Sequence, residues 1–564
     1  MHELYLWPFA EAIYSGTGNI MCSYNKINNS YASQNSKTLN GLLKDELGFQ
    51  GFVVSDWGAQ QSGVASALGG LDMAQNDTSV WGPDLIQAVQ NGSVPEWRVD
   101  DMVIRIMASY YQMGQDSSDF PAPGVGIPAN LLAPHTIVNA RNPESKSTIL
   151  QSAIEGHVLV KNINNALPLQ NPLLLSLFGY DAIVPTQYGP ENGLADFAWL
   201  IDEYGVNDID LECEFIGISC GTIAQYATNT LWSGGGSGGT TPPYIDAPYD
   251  AISNYSIINN IALYWDFTDT TVNVDAASDA CLVFINAFST EEVDRTGLHD
   301  DYSDGLVENV ASQCNNTIVV IHNAGIRLVD QWIDNPNVTA VIFAHLPGQD
   351  TGRALVEILF GLQSPSGKLP YTIAKNESDY GPLLAPSEPE GAYIFYPQSN
   401  FTEGVYIDYK AFDQLGIEPR YEFGFGLTYT TFEYSAFNVQ VTASGLPVYP
   451  TGKTIPGGPS DLYDVIAQVT ATVTNTGSFE AAEIAQLYVG LPGPGSDQPL
   501  RQLRGFDKVT IAPGNSAQVS FPLRRKDLSV WDVVAQQWTL QHGTYQLYVG
   551  ASSRNLPLTG TLTF

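Results

Sequence analysis

The chain has 564 residues, which is too long for one hydrophobic core, and about 150 residues per domain predicts three or four domains. Its 23 Lys and Arg residues against 59 Asp and Glu residues give a net charge of −36, which repels nucleic acid and anionic membranes. Because only 15% of the residues are charged, solubility depends on uncharged polar groups, glycine and acids, a composition that is typical of a secreted protein.

The first predicted region, residues 1–115, alternates helices with one short strand. Leucines at three- and four-residue spacing, followed by a glycine stop, predict a helix at 39–47. The apolar run 52–55 predicts a short buried strand, and residues 60–71 read as a helix after it. A last helix is predicted at 99–113, with two aspartates in its first turn.

Residues 116–139 are rich in proline and glycine and are predicted to form a linker. The region 140–375 then alternates apolar runs of strand length with helical stretches such as 351–360. This alternation predicts an α/β sandwich domain with a mostly parallel sheet. The runs assigned to strands are 173–178, 281–288, 317–323, 338–344 and 368–373.

A glycine-rich stretch, LWSGGGSGGTTPPY at 231–244, lies between two of these strands. No Lys-Ser or Lys-Thr pair follows it, so the sequence argues against a phosphate-binding loop. We expect a flexible or saccharide-facing loop.

After a connecting segment at 376–429, the pattern changes to alternating apolar and polar residues. Runs of this kind, separated by turn residues, predict a small antiparallel β-sandwich at 430–564, of immunoglobulin or fibronectin type III kind. The clearest runs are 465–473, 483–490, 518–523 and 544–549.

Cysteine use and export signals give a mixed indication of the compartment. The five cysteines form no paired CxxC motif, which argues against zinc or iron–sulfur sites, and Cys213 and Cys220 are close enough in sequence for a short-loop disulfide. Eight Asn-x-Ser/Thr sequons would permit glycosylation. No apolar run reaches the roughly 18 residues of a membrane span, and the first residues are not a signal peptide. We therefore expect a secreted protein whose beginning is missing.

Asp56 follows the first predicted strand directly and lies beside Trp57. Catalytic groups of a β/α barrel occupy such strand ends, and retaining glycosidases need two carboxyl groups at roughly 5 Å separation. A second candidate, Glu291-Glu292, follows the strand predicted at 281–288. The pattern alone nevertheless favours a helix N-cap for Asp56 and a solvated turn for the glutamates.

A family resemblance reverses this preference. It is carried by the motifs MCSYNKINNSY, LLKDELGFQGFVVSDWGAQQSGVASALGGLDM, VPEWRVDDMVIRIMASYY, EGHVLVKNINNALPL, SPSGKLPYT and PRYEFGFGLTY. In these motifs the chain resembles the fungal β-glucosidases of glycoside hydrolase family 3, from its first residue to its last. The resemblance implies the C-terminal part of a (β/α)8 TIM barrel, an α/β sandwich domain with a mostly parallel sheet, and a C-terminal fibronectin type III-like β-sandwich.

The resemblance also implies roles for individual residues. Asp56 matches the family's nucleophilic aspartate, and Trp57 matches the aromatic residue next to it in subsite −1. Tyr24 matches a tyrosine that contacts the nucleophile. Ser237, in the glycine-rich stretch, matches a serine near the sugar.

The family's acid/base glutamate comes from the second domain and matches Glu291. The stretch 289–295 resembles the motif Ser-Gly-Glu-Gly-x-Asp-Arg, with Thr290 and Glu292 where glycines are usual, so Glu291 is preferred over Glu292.

The implied reaction is the hydrolysis of terminal non-reducing β-D-glucosyl residues by double displacement. Glu291 protonates the glycosidic oxygen, Asp56 forms a glycosyl-enzyme, and a water deprotonated by Glu291 hydrolyses it. No metal or organic cofactor is expected. The expected partners are cellobiose, cello-oligosaccharides and aryl glucosides, and neither nucleic acid nor a membrane.

The sequence departs from the family pattern at its start. The family carries most of its barrel, with an aspartate, an arginine and a Lys-His pair that hold the sugar, before the segment matched here. A complete barrel takes about 250 residues, whereas only residues 1–115 precede the linker. We therefore expect that the chain begins part-way through the barrel and is inactive or nearly so by itself. Relatives also commonly carry a cysteine where Ser33 stands, so Cys22 is expected to lack that partner.

Other functions stay open at this point. A β-xylosidase or an exo-β-glucanase of the same family would share both carboxylates. The N-acetylglucosaminidase branch fits less well, because it takes its acid/base from a barrel loop and usually lacks both C-terminal domains. A different class is a non-catalytic carbohydrate-binding remnant, although the intact Asp56 and Glu291 argue against it. The sequence does not indicate an oligomeric state.

Overall fold

The structure is a computed structural model. It describes all residues except 76–79, 121–133, 135–138, 140, 185–225, 236–241, 269, 290–294, 385–386, 395 and 494–497. Among the described residues, the large cores comprise one before residue 115, two on opposite faces of a sheet between residues 150 and 430, and one after residue 430.

The first region is built of helices and a parallel pair of strands. Strands β1 (Asn19–Cys22) and β4 (Phe52–Ser55) pair in parallel, with Cys22 opposite Ser55. The short hairpin of β2 (Lys26–Ile27) and β3 (Ser30–Tyr31) follows β1. The helices of this region are α1 (Trp7–Tyr14), a π-helix (Lys37–Glu46), α2 (Val64–Gly69), α3 (Pro83–Gln90) and α4 (Glu96–Gln112).

Two predicted helices of this region differ in detail from the structure. The helix at 39–47 is present but is of π type, and the Leu47 N–H donates to the Leu42 carbonyl, five residues back, at 3.0 Å. The helix predicted at 60–71 is shorter and begins only at Val64, because the chain first turns at Gly58, whose φ of 67° lies in the left-handed region.

The predicted position of two aspartates at the start of α4 is wrong. The helix begins at Glu96, directly after Pro95, so Asp101 lies in its second turn instead of its first. Asp101 pairs with cations on its own helix, accepting hydrogen bonds from Arg98 and Arg105 at 2.9 Å each.

The second region contains the sheet whose strands, in spatial order, are β5, β10, β9, β8, β6 and β7. All of these pair in parallel except β5, which pairs antiparallel with β10. The strands are β5 (Val158–Asn162), β6 (Leu174–Phe178), β7 (Ala262–Asp266), β8 (Ala280–Ala287), β9 (Thr317–Asn323) and β10 (Val338–Phe343). The helices are α5 (Ser145–Gly156), α6 (Pro248–Asn259), α7 (Asp301–Ala311) and α8 (Thr351–Leu359).

One predicted strand of this sheet is wrong, and two strands were not predicted. Residues 368–373 lie outside the sheet, because Pro370 has no N–H to donate and the flanking amides of Leu369 and Ile373 bond to Phe425 and Tyr421 instead, at 2.8 and 2.9 Å. The strands β5 and β7 form the two edges of the sheet, where the pattern of buried residues is weakest.

The strand order changes direction between β6 and β8. The chain leaves β6 for β7 on one side, and it passes from β8 through β9 to β10 on the other. In open α/β sheets such a change leaves a crevice beyond the carboxyl ends of the two strands, and ligands bind there. The crevice lies beyond Phe178 and Ala287, and β8 leads into the segment that carries Glu291.

The third region is an antiparallel β-sandwich, which follows the short helix α9 (Tyr409–Leu415). One sheet has the order β11, β14, β17, and the other has the order β16, β15, β20, β21. These strands are β11 (Phe432–Val441), β14 (Val465–Asn475), β15 (Ala481–Gly490), β16 (Gln502–Ile511), β17 (Ser516–Arg524), β20 (Thr544–Gly550) and β21 (Leu558–Thr563). The shorter strands are β12 (Thr454–Ile455), β13 (Gly458–Pro459), β18 (Ser529–Asp532) and β19 (Gln537–Leu540).

Aromatic stacking fixes the first region to the sandwich. The His2 ring stacks on Trp531 with centroids 3.4 Å apart, and Tyr14 stacks on Tyr463 at 3.8 Å. An acidic side chain of α1 also pairs with two cations of the sandwich region. The β-sandwich therefore holds the N-terminal residues and α1 of the first region.

A disulfide bond joins Cys281 to Cys314, a pair that sequence analysis did not identify. Cys22 is buried and forms no disulfide with a described cysteine. The predicted pair of Cys213 and Cys220 lies outside the described residues. None of the described helices combines the length and the apolar character needed to cross a membrane.

His157 makes the second region sensitive to acid. Its ring is fully buried at the end of α5, where Nδ1 donates to the Ala153 carbonyl at 2.6 Å. Burial lowers the pKa of His157 to about 3. The folded protein thus favours the neutral ring, and an unfolded histidine takes up a proton only below about pH 6.5, so burial of the neutral ring stabilises the fold fully above that pH. The free energy of unfolding falls as the pH drops from about 6.5 toward 3, by up to about 1.4 kcal/mol per pH unit.

We expect His157→Asn to lower the unfolding temperature at neutral pH, because packing is lost, but to flatten its decline toward about pH 4. Calorimetry across this pH range measures both effects. The exposed His542 provides the matched control, and His542→Asn should leave the decline unchanged. An equally steep decline in His157→Asn would contradict this role.

Candidate active site

Asp56 lies one residue beyond β4, at the carboxyl end of the parallel strand pair. Its N–H donates to the Cys22 carbonyl at the end of β1, at 3.2 Å. Its Oδ1 accepts the Trp57 N–H at 2.7 Å, while Oδ2 accepts no hydrogen bond from any described residue. Asp56 is not the N-cap of α2, because that position belongs to Gly63. One carboxylate oxygen of this half-exposed side chain is therefore available to a ligand.

Tyr24 and Trp57 lie at the same edge of the strand pair as Asp56. Each is two residues beyond its strand, and their exposed fractions are 53% and 37%. The side-chain amide of Gln75 bonds to both Trp57 and Ser55. Its oxygen accepts the Trp57 Nε1–H at 2.7 Å, and its nitrogen donates to the Ser55 carbonyl at 3.2 Å. The structure thus brings together three residues predicted from the sequence and adds Gln75, which orients the indole.

The thiol beneath Asp56 is uncharged. Burial, with a smaller contribution from the Asp56 carboxylate, raises the pKa of the Cys22 thiol to about 11. The Ser33 side chain is fully buried. Its hydroxyl donates a hydrogen bond to the Ala59 carbonyl at 2.8 Å, three residues after Asp56. Neither side chain therefore places a second negative charge against the Asp56 carboxylate.

One buried carboxylate fixes the strand that ends in Asp56. Asp72 Oδ2 accepts the Val53 N–H, in the middle of β4, at 2.8 Å. Asp72 Oδ1 accepts from Lys44 Nζ at 2.9 Å and from Arg98 Nη2 at 2.7 Å. The Asp72 side chain is fully buried. It therefore ties the π-helix and α4 to β4.

The second half of the predicted site is described only through its neighbours, because Glu291 and Ser237 lie outside the described residues. Two residues before each of them, the Gly235 N–H donates to the Ser289 carbonyl at 2.9 Å. The glycine-rich stretch and the segment after β8 therefore cross at this point. No hydrogen bond or ion pair between described residues joins this crossing to Asp56, so the site is described as two halves.

Packing and a buried polar network hold the crossing. Trp232 and Phe288 are almost fully buried and belong to one cluster. Asn286, in β8, donates to Asp181 at 2.8 Å and accepts a backbone N–H from the segment before the glycine-rich stretch at 2.9 Å. His322, in β9, bonds to the other Asp181 oxygen, and burial raises the pKa of Asp181. These groups occupy the crevice between β6 and β8 and fix both crossing segments.

Sequence analysis did not identify the polar residues that support the two halves. Their one local signal is a lone polar residue within an apolar run, such as Asp72 in Gly-Leu-Asp-Met or Asn286 near the end of β8. The supporting residues are Asp72, Gln75, Asp181, Asn286 and His322.

Family models match three parts of the chain. The glycosyl hydrolase family 3 N-terminal domain matches residues 1–109, and the C-terminal domain of that family matches residues 157–429. The fibronectin type III-like domain matches residues 483–553.

Similar proteins extend across the whole chain. "Probable beta-glucosidase M" of Aspergillus niger is 56% identical over 561 residues, which cover 99% of this chain and 69% of that protein. "Beta-glucosidase cel3A" of Pyricularia oryzae is 49% identical, covering 99% of this chain and 70% of that protein. The crystal structure of beta-D-glucoside glucohydrolase from Trichoderma reesei matches at 38% identity with a TM-score of 0.85, covering 100% of this chain and 74% of that chain.

These matches confirm the predicted fold class. The chain contains part of a (β/α)8 barrel, an α/β sandwich domain with a mostly parallel sheet, and a fibronectin type III-like β-sandwich.

We expect Asp72→Asn to destabilise the first region by about 3–5 kcal/mol, because Lys44 and Arg98 would stay buried without their counter-charge. Calorimetric unfolding measures the loss. The matched control is Asp101→Asn, which removes a partner of Arg98 that is 34% exposed and should cost less than about 1 kcal/mol. Equal losses in the two variants would show that Asp72 does not anchor β4.

Proposed function

The chain belongs to glycosyl hydrolase family 3 and is a glycosidase, and on this premise we propose that it is a retaining β-glucosidase. We propose Asp56 as its nucleophile and Glu291 as its acid/base, with Tyr24, Trp57 and Ser237 in contact with the sugar. The substrates would carry a terminal non-reducing β-glucosyl residue, as do cellobiose, cello-oligosaccharides and aryl glucosides. The Asp56 carboxylate, with one oxygen held by the backbone and the other available, carries the proposal.

In the first step, Asp56 Oδ2 would attack the anomeric carbon while Glu291 donates its proton to the departing glycosidic oxygen. The Trp57 N–H holds Oδ1, so the attacking oxygen keeps a fixed direction. In the second step, Glu291 takes a proton from water, and that water displaces Asp56 from the anomeric carbon. The exposed rings of Tyr24 and Trp57 offer apolar faces for the C–H bonds of the sugar.

The relatives support the glucoside part of the proposal. Curated proteins between 49% and 56% identical to nearly the full chain are named beta-glucosidases. The acidic composition and the sequons support a further proposal that the protein acts outside the cell. Labelling of the chain would contradict the expectation, drawn from the sequence, that the chain by itself has little activity.

We expect 2-deoxy-2-fluoro-β-glucosyl fluoride to add one glycosyl group to Asp56, because the 2-fluorine slows both formation and hydrolysis of the intermediate, while the good fluoride leaving group offsets this slowing for formation alone. Intact mass and peptide mapping locate the group. Asp56→Asn should take no label. A label on another carboxylate would contradict the role of Asp56, and an unlabelled folded chain would contradict activity of the chain as it stands.

Leaving groups of different basicity distinguish the two adjacent glutamates. Glu291→Ala should lower kcat/KM for cellobiose by about 10²–10⁴-fold, because the departing sugar needs a proton. The loss for 2,4-dinitrophenyl β-glucoside should be much smaller, because dinitrophenolate departs without one. Glu292→Ala is the matched control and should affect both substrates alike. The reverse result would assign the acid to Glu292.

A further inference from the structure

A polar cleft of about 270 Å³ lies at the amino ends of the strands, at the opposite edge of the sheet from the crossing at Ser289. Its walls are the loop between β5 and β6 and the residues that begin or directly precede β8, β9 and β10. Its volume is just below the roughly 300 Å³ at which small-molecule sites begin, which suits a sugar residue better than a larger ligand. Six of the lining residues bear on the choice of ligand: Asn164, Asn165, Asn171, Pro172, Asp279 and Asn315.

The loop between β5 and β6 is fixed by hydrogen bonds to itself and to the sheet. The Asn162 side chain donates to the Leu167 carbonyl at 2.9 Å and accepts the Leu167 N–H at 3.0 Å. The Ile163 N–H donates to the Thr339 carbonyl in β10 at 2.8 Å. This wall of the cleft is therefore ordered without a ligand, so little ordering would oppose binding.

Three asparagines of this loop have a left-handed backbone. Their φ angles are 58° at Asn164, 56° at Asn165 and 48° at Asn171. Glycine would adopt these angles at less cost, so each asparagine adds a side-chain amide at the expense of some strain. None of the three amides forms a side-chain hydrogen bond with a described residue. Three groups that can both donate and accept are therefore available at this wall.

The lining favours a neutral ligand that is rich in hydroxyl groups. Amides and the Asp279 carboxylate can bond to the hydroxyl and acetamido groups of a sugar. The Pro172 ring offers an apolar surface to the C–H bonds of a pyranose. The described lining contains no lysine, arginine or histidine that could pair with a phosphate or a carboxylate.

Asn315 connects this cleft to a covalently attached sugar. It begins the sequon Asn315-Asn316-Thr317, an acceptor sequence for N-glycosylation, and it lines the cleft itself. Asn315 is exposed, and its amide bonds to no described residue. By contrast, Asn316 donates to the Asp279 carbonyl at 2.9 Å and accepts from the Thr339 hydroxyl at 2.6 Å. The first sugar on Asn315 Nδ2 would therefore lie at the cleft.

We propose that Asn315 is N-glycosylated and that the cleft binds the inner N-acetylglucosamine of its glycan. The modification joins Asn315 Nδ2 to the anomeric carbon of a diphosphate-activated oligosaccharide. The carbon–oxygen bond to the lipid diphosphate breaks, the diphosphate leaves with the electron pair, and the amide loses one proton. The covalent link then keeps the sugar at a high effective concentration, so weak contacts suffice to seat it.

A neighbouring sequon asparagine, Asn337, does not offer the same geometry. Its amide is half-buried and donates to the Ala311 carbonyl at 2.8 Å. The inference rests on the proposed secretion of the protein, because N-glycosylation takes place in the secretory compartment. It is independent of Asp56 and Glu291.

The first test is peptide mapping of the chain secreted from a yeast under a leader peptide. Mass spectrometry should find a glycan on the tryptic peptide 296–327, in which Asn315 is the one sequon asparagine, and none on this peptide in Asn315→Gln. A bare Asn315 would overturn the inference. The labelling of Asp56 and the cleavage of cellobiose would still report separately on the proposed function.

The second test asks whether the glycan is seated in the cleft. Endoglycosidase H cuts between the two innermost N-acetylglucosamines, which a seated glycan hides. Release from Asn315 should be slower in the folded parent than in Asn165→Gly/Asn171→Gly by about tenfold or more, as expected where the cleavable form is about a tenth of the population. Both substitutions remove an amide and keep the left-handed backbone. The matched control is Asn260→Gly, at a φ of 57° outside the described lining, which should keep the slow release.

Equal rates of release in the folded parent and in Asn165→Gly/Asn171→Gly would overturn the cleft as the seat of the glycan. Fast release in Asn260→Gly would also overturn it, because the effect would then come from the backbone and not from the amides. After denaturation all three proteins should release the glycan at the same rate. A difference that persists in the unfolded chains would contradict protection by the folded cleft.

Discussion

The position of Asp56 depends on the buried carboxylate of Asp72. Burying a lone charge costs several kcal/mol, and this one is stable only because two cations and a backbone N–H surround it. Burial also acts on the cations. It lowers the pKa of Lys44 to about 8, so the Lys44 ammonium is still charged at neutral pH. Because β4 has only four residues, one bond in its middle, at Val53, fixes the direction of the chain where Asp56 begins. The proposed nucleophile is half-exposed, but the groups that aim it are among the most buried in the region.

The second half of the site is organised by topology. A change of strand direction leaves a crevice between β6 and β8, and here Asp181, Asn286 and His322 fill it with polar groups. A fully satisfied network of this kind is rigid, because each member has a buried partner that it cannot exchange for water. The cleft lined by Gly235 and Ser289 lies at the carboxyl ends of the strands. The sheet therefore provides a fixed support for the two crossing segments.

The sequence predicted elements well where burial gives a pattern, and poorly where it does not. All seven residues of β9 are buried, and its bounds were predicted without error, whereas the half-exposed edge strand β7 was not predicted. Residues 368–373 were misassigned because their apolar content outweighed Pro370 in the prediction. The strand end at Asp56 was predictable, but its preference over an N-cap came from family resemblance. Asp72 could not be predicted as an anchor, because its partner Arg98 is 26 residues away and the bond depends on tertiary packing.

Both halves of the site are attached to the same β-sandwich. The first region stacks on it through His2 and Trp531, and the second contacts it through a buried ion pair of Lys368 and Glu483 at 3.3 Å. A retaining mechanism requires its two carboxyl groups at roughly 5 Å, and a misplacement of about 1 Å can cost about 10²-fold in rate. The sandwich supplies none of the proposed catalytic residues. Each half is nevertheless held to this common support, and the first region also contacts the connecting segment directly, through the Tyr31 and Tyr396 hydroxyls at 3.3 Å. A change in the sandwich would therefore act on the chemistry through the placement of the two halves.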